Sequence, residues 1–537
     1  MKSNNIDKSN NNTKITKINL KNKNVTILIL ILIILVQVGV RVFVGYKKEY
    51  FHMDEAYSYG LMNYDKINIT DNKDFYDTWH TKDYYKDYLT INSNEVCNLK
   101  PVYENQKNDV HPPLYYLLLR ITSSFAVNDF TKWTGLILNI IIYIVSSIFI
   151  FLISKKLLKS DKKALFTCLI SGLTLGALDT SAYIRMYELA NMFILISTYI
   201  HMNIYEKNEL KFKDLALICI VTLLSSLTHY YTLIYIGVLF IIFVIKYIKQ
   251  KQYKNLLKYV LTFILAAITS IAIFPYSINH IFMGYRGAGA KTSFSISKIL
   301  TSFLVYVTII CKNLVGGIYN AGIILIILVI TSVIGIKKNN KLEKKEISKL
   351  IAIPVLVYFI IVSQITPYKE LRYMMPIISV LMVYTIYIVD KVLNKNLKEN
   401  IAKILLCTIF VFTTISPIFT KEHLDFTYTN MNHLADKIEV IKDIPALYIF
   451  NENNNRFLDD IYLFTIIDNS YIMNLKNANI ENIQNVLSDK NIEKGIILVL
   501  NEGFERQDLI NNIKEKFDFK NEEVIQNLNA GIIMRLY

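Results

Sequence analysis

Cysteine is scarce in this 537-residue sequence: Cys97, Cys168, Cys219, Cys311 and Cys407 are all it holds. None forms a CxxC pair or a metal-type cluster, and all but Cys97 sit in or beside apolar runs. That pattern excludes a disulfide framework and a cysteine-held metal. Arginine is scarce as well, eight of the 59 basic residues. No internal repeat is visible, which argues against transporter folds built from duplicated halves. No small-residue cleavage site follows the first apolar run, Val25–Gly45, so that run reads as an anchor and not as a removed signal peptide.

What the sequence has in quantity is apolar length. Hydrophobic residues make up 53% of it, and runs long enough to cross a bilayer recur, which indicates a polytopic α-helical membrane protein. The formal net charge is +15. The lysines stand in short blocks between apolar runs, as cytoplasmic loops do, and give no sign of a nucleic-acid partner. These blocks are Lys2–Lys23, Lys155–Lys163, Lys207–Lys213, Lys246–Lys258, Lys337–Lys349 and Lys391–Lys403. Placing them all in the cytoplasm gives about eleven spans, with the N-terminus inside and the C-terminus outside. The spans are Val25–Gly45, Trp133–Ile153, Ala164–Leu178, Leu189–Ile204, Leu215–Leu227, Tyr230–Ile245, Leu256–Phe274, Ile318–Ile336, Leu350–Ile365, Tyr373–Val389 and Ile401–Phe419. His111–Val127 and Ile299–Ile310 would each invert the following lysine blocks if counted alone, so both read as amphipathic helices on the outer surface.

The chain then divides into a basic cytoplasmic tail (1–24), a transmembrane part (25–420) with a long outer loop (46–132), and an outer C-terminal segment (421–537). In the last, "PALYIF", "SYIMN", "GIILVL" and "AGIIMRL" read as short buried strands. "NIENIQNVLSDK" and "ERQDLINNIKEKF" read as amphipathic helices between them, so the segment is expected to be a small α/β domain outside the cytoplasm.

The membrane region holds Arg41, Arg120, Arg185, Arg286 and Arg372, all at or near the outer face on this topology. The positive-inside bias disfavours cations there. A phosphate ligand would offset it, because arginine grips phosphate as a flat two-pronged fork and lysine does not. Other polar groups gather at the same level. "HMDEAYSYG" brings Asp54 and Glu55, and "DVHPPLYYLLLR" brings His111. "LDTSAYIRMYE" brings Asp179, Arg185, Tyr187 and Glu188, "LTHYYTL" brings His229 and Tyr230, and "TPYKELRYMMP" brings Arg372 and Tyr373. Together these segments are expected to rim one outward-facing cavity. Each has a plainer reading: Asp54 as a helix cap, His229 as a satisfied interfacial histidine, the tyrosines as an interface belt, and the arginines as snorkelling cations. Adjacent helical residues point about 100° apart, so only one of the two adjacent acids is expected to enter the cavity, and Asp54 is the choice.

These motifs resemble the GT-C superfamily of integral-membrane glycosyltransferases, nearest the protein O-mannosyltransferase and lipid A aminoarabinose transferase group (family 39 and its bacterial relatives). The resemblance implies a sugar donor carried on polyprenyl phosphate and a bacterial plasma-membrane location. It implies that Asp54 is the general base, with Glu55 as its companion. It implies that His111, Arg185, Tyr187, Arg372 and Tyr373 bind the donor phosphate, and that His229 and Tyr230 lie on the cavity rim. Relatives often carry an acid two residues before the matching arginine, where this chain has Tyr183. The second acid, Asp179 or Glu188, and a divalent metal that would need it, are therefore open. The acceptor is a lipid, a protein or a surface polymer, and the oligomeric state is not readable. A lipid or glycan transporter and a non-catalytic carrier-lipid scaffold are the competing classes.

Overall fold

The computed structural model describes residues 4–48, 51–63, 69–96, 98–205, 207, 209–283, 299–335, 347–419, 424–427, 434–451, 456–501, 506–528 and 531–537, with side chains from residue 23 on apart from 334, 335 and 435. Arg286, Cys97 and most of the Lys337–Lys349 block lie outside the described residues. The chain is a multi-pass, mostly helical membrane protein. Each apolar segment expected to span is helical. Among the described residues, six helices are long and apolar enough to cross a bilayer, or up to eight if each bent pair counts as one span. Of the expected spans, Tyr187–Ile204, Phe212–Ser226 and the 17-residue Lys349–Ile365 fall outside that group. The first buries polar residues such as Asn191, Thr198 and His201 inside the bundle, and the second has only 15 residues.

Two expected features come out bent. The Ala164–Leu178 segment is split into Asp161–Ser171 and Leu175–Ala182, which meet at 59°. Thr174 starts the second piece by accepting from Ala177 N–H at 3.3 Å, a cap for an otherwise orphaned donor. Ile299–Val315 is longer than the expected surface helix and turns through 80° into Ile318–Gly335. Gly316 and Gly317 make that corner with φ of +77° and +129°, a backbone region that costs other residues dearly.

The outer loop is ordered into the helices Met53–Asn63, Lys82–Leu89, Lys100–Asn108 and Leu114–Ser123. The last of these is not a surface helix throughout. Arg120, which breaks its apolar run, is buried and donates to Met62 O at 2.8 Å, Asn63 Oδ1 and Glu95 O.

The C-terminal segment carries strands and helices in an α/β layer, and the outer loop before it adds one strand. Its sheet has the order β1-β3-β2-β4-β6-β5, from β1 (Trp79–Thr81), β2 (Ala446–Phe450), β3 (Asn469–Asn474), β4 (Ile496–Asn501), β5 (Glu522–Leu528) and β6 (Gly531–Leu536). The central strands β3, β2 and β4 are parallel, and β6 and β5 close one side as an antiparallel hairpin. The other edge, β1, comes from the outer loop and pairs Trp79 with Tyr471 and Thr81 with Asn469. Side chains alternate between faces, as they must in a strand. Leu447 and Ile449 face the helices Ile480–Leu487 and Gln507–Phe517. Tyr448 and Phe450 join a core shared with Phe51, Tyr59, Tyr85 and Tyr183 of the membrane part and its loop. The helix Phe457–Phe464 of this layer packs directly on Met53–Asn63, the helix that follows the first span.

Candidate active site

Asp54 stands in the first turn of Met53–Asn63. Its Oδ2 accepts from the Tyr183 hydroxyl at 2.8 Å and pairs with Arg372 Nη1. His52 Nδ1 lies 4.0 Å from the same oxygen. Arg185 approaches from the other side, its Nη1 donating to Asp54 O at 3.2 Å and to Ser58 Oγ at 3.3 Å. Arg372 thus pairs with the Asp54 carboxylate, which keeps 22% of its side chain exposed, while Arg185, from another distant segment, holds the backbone carbonyl of the same residue. Arg185 Nε is buried with no hydrogen-bond partner among the described residues. Arg372 Nε meets the Glu370 carboxylate at 2.8 Å, but off the hydrogen-bonding line. Burial alone would raise the Asp54 pKa. The charges of Arg185 and Arg372, then His52 and the Tyr183 hydrogen bond, outweigh it and hold the carboxyl well below the usual carboxylate range.

Aromatic rings extend the site. Tyr187 stacks on Tyr183 at 5.7 Å and 7° and lies 5.4 Å from His229, whose ring is 6.3 Å from that of His111. Tyr373 sits beside the Arg372 guanidinium, and its carbonyl accepts from Tyr358 OH at 2.8 Å. His111 Nδ1 faces Asp109 Oδ2 at 2.8 Å. Burial lowers the His111 pKa despite the opposing pull of Asp109. The neutral ring then carries its proton on Nδ1 and leaves Nε2 as an acceptor, better suited to a hydroxyl than to a phosphate oxygen. His229, pushed down to about 3 chiefly by burial, is neutral as well.

Glu55 turns the other way. Its side chain is fully buried and accepts from Lys48 Nζ at 2.9 Å, His52 N–H at 2.9 Å and Ile184 N–H at 2.8 Å. Asp179 accepts from Phe426 N–H at 3.1 Å. Glu188 takes the hydroxyls of Ser146 and Ser181 at 3.1 and 2.9 Å and the Asn191 amide. Tyr230 pairs with His280 at 3.0 Å and lines a separate apolar cavity with Phe240 and Phe263. Asp54, Arg185, Arg372, Tyr187, Tyr373, His111 and His229 are thus brought together, while Glu55, Asp179, Glu188 and Tyr230 serve other neighbourhoods. A metal would need a second acid beside Asp54, and both candidates spend their oxygens elsewhere. No group of three or more His, Cys, Asp or Glu side chains among the described residues could hold a metal.

Sequence reasoning missed Lys48, His52, Asp109, Phe426 and Asp459. It noted Tyr183 only as a departure. Asp109 and His52 lie within the quoted motifs or beside them, and their chemistry was legible. Phe426 was not: its ring stacks on Tyr183 at 3.9 Å and its carbonyl receives Lys48 Nζ, contacts that no local pattern announces.

Residues 110–274 match the family described as dolichyl-phosphate-mannose-protein mannosyltransferase. His111, Asp179, Arg185, Tyr187, Glu188, His229 and Tyr230 fall inside that stretch; Asp54, Glu55, Arg372 and Tyr373 fall outside it. No curated protein matches the chain in sequence. Among solved structures it is similar to ArnT from Cupriavidus metallidurans bound to undecaprenyl phosphate, with 8% identity, a TM-score of 0.46, and 93% of this chain and 97% of that one covered. The apo state of the same protein gives 10%, 0.45, 93% and 97%. Over residues 110–274 the chain therefore resembles the integral-membrane GT-C glycosyltransferases.

Proposed function

We propose that the chain transfers a sugar from a polyprenyl-phosphate carrier to a hydroxyl-bearing acceptor at the outer face of a bacterial plasma membrane. The observation that carries this reading is the convergence of Arg185 and Arg372 on Asp54. The family match over 110–274 supports the reaction class.

In the reaction the bond from the sugar's anomeric carbon to the phosphate oxygen breaks, and a bond to the acceptor oxygen forms. The acceptor proton passes to Asp54, and polyprenyl phosphate departs with the charge. Fixed cations at the departing phosphate stabilise that charge as it develops. Proton removal by a placed base is worth about 10² to 10⁴ in rate. Asp54 in the unliganded site is a weak base, because the arginines hold its proton affinity down. The donor phosphate competes for the same guanidinium groups. Its arrival relaxes their hold and raises the affinity of Asp54 for a proton toward a working value. Direct displacement inverts the anomeric centre. Nucleotide sugars are not available at the outer face, so a lipid carrier brings the sugar there. The same reading puts the N-terminus in the cytoplasm and the C-terminal α/β layer outside.

The test is Asp54→Asn in a strain where deleting the gene changes a surface glycan or glycolipid. Mass spectrometry of lipids and surface polymers should show the deletion pattern with the variant protein present at normal level. An unchanged glycan would sink the assignment.

A further inference from the structure

The helix that carries Asp54 has, like any helix, first-turn N–H groups without partners of its own. Glu55 and Ala56 turn theirs back to the His52 carbonyl, and Asp54 N–H reaches His52 Nδ1 at 3.1 Å. Met53 N–H is met from far away in sequence: it donates to Asp459 Oδ1 at 2.8 Å, across 406 residues. Asp459 lies on the helix Phe457–Phe464 of the C-terminal layer, with its side chain 2% exposed. Its other oxygen accepts from Arg456 Nε at 2.8 Å. A carboxylate at a helix N-terminus also faces the positive end of the helix dipole. Phe426 of the same C-terminal segment takes a second hold, between His52 and Tyr183, with its N–H on Asp179 and its carbonyl on Lys48.

We infer that Asp459 is a positioning residue for Asp54, so that the C-terminal α/β layer completes the catalytic site and is not an appended module. The inference rests on the reading of Asp54 as the reacting acid. Met53 immediately precedes Asp54, so the Met53–Asp459 hydrogen bond sets where the first turn begins and hence where the Asp54 carboxylate stands. A misplacement of about 1 Å at a reacting group costs about 10²-fold in rate. Nothing in this role requires Asp459 to touch donor or acceptor.

Three variants separate positioning from folding. Asp459→Ala removes the acceptor oxygen. Asp459→Asn keeps one. Met53→Pro removes the donor, together with a half-buried side chain that packs on the core, at a first helical position that proline suits. Transfer is read in membranes of the strain used above, as glycan formed per unit of protein against donor level. Asp459→Ala and Met53→Pro should each lower the maximal rate about 10²-fold, with the half-saturating donor level unchanged. Asp459→Asn should retain most of the rate, and the Ala/Pro double variant should be no slower than either single one, since both break one bond. Wild-type rates in Met53→Pro, or equal damage from Asn and Ala, would overturn the inference. If Asp459→Ala fails to accumulate, Met53→Pro and Asp459→Asn decide. Asp54→Asn run in parallel keeps the two readings apart. A dead Asp54→Asn beside a fully active Met53→Pro refutes only the role of Asp459, whereas an active Asp54→Asn refutes the reading on which it rests.

Discussion

Asp54 and Glu55 are the same kind of group, one residue apart on the same turn, and they meet opposite surroundings. Glu55 is sealed from solvent, and its oxygens are taken by a lysine and two backbone N–H groups. Those partners tie the Met53–Asn63 helix to the end of the first span and to the strand-like turn before Arg185. Asp54 stays partly exposed; its carboxylate pairs with Arg372 and a tyrosine hydroxyl, with the charge of Arg185 and a histidine nearby. A carboxylate whose partners are all fixed framework groups builds structure. One whose partners are cations that a phosphate would also attract is placed to react. The roughly 100° turn between neighbours on a helix is enough to assign the two roles.

The comparison can be broken most forcefully from the Glu55 side. Glu55→Gln leaves Lys48 buried without its counter-charge, and breaking one partner of a buried pair costs about 3–5 kcal/mol. The variant should therefore show a large drop in thermal stability and yield, measured in detergent, while the folded fraction still transfers sugar. Loss of turnover with unchanged stability would reverse the two roles.

A smaller effect is expected at Arg372. Arg372→Lys keeps the charge but loses the fork, and should raise the half-saturating donor level by about 10- to 10²-fold. Arg372→Gln sharpens the same point through pH. The folded-state pKa of Asp54 is lowered, so the ion pair is intact above the ordinary carboxylate value of about 4 and is lost only as pH falls through the lower folded value. Removing one arginine lets that value rise. The acid limb of kcat/KM for the variant should move upward in pH, and a limb that stays put would show that Arg372 does not govern Asp54.

The smallest effect is expected at His229. Its pKa of about 3 keeps it neutral through the working range, so His229→Asn should leave the shape of the pH profile between about pH 5 and 8 unaltered. The rate should change by less than about tenfold.

Much of the architecture was legible in the sequence because its signals are local. Lysine blocks and apolar runs marked out the helices, and four strands and two helices of the C-terminal layer stood out by their apolar pattern. β5, "EEVIQNL", was missed because it is a largely exposed edge strand with little apolar alternation. β1 was missed because three residues carry almost no pattern, and its pairing with β3 is a long-range event. The bend at Thr174 was drawn as a straight span, and the one at Gly316–Gly317 fell between an expected surface helix and an expected span, because hydropathy does not register direction. At the site, residue types and quoted motifs located Asp54, Arg185 and Arg372. The framework around them was hidden, since Asp459 and Phe426 reach Asp54's helix from hundreds of residues away. Arg41 and Arg120 were expected at the same outer level as the site arginines, yet each is bound mainly to backbone carbonyls, among them Gly172 O and Met62 O. Position at the membrane surface alone did not separate structural arginines from those that converge on Asp54.

The most direct test is a single-turnover measurement on purified Asp54→Asn protein loaded with a polyprenyl-phosphate-linked sugar, alongside wild type. The account predicts that the donor binds, because Arg185 and Arg372 remain, while transfer falls by about 10² to 10⁴. Transfer at the wild-type rate by a folded, donor-loaded variant would contradict it.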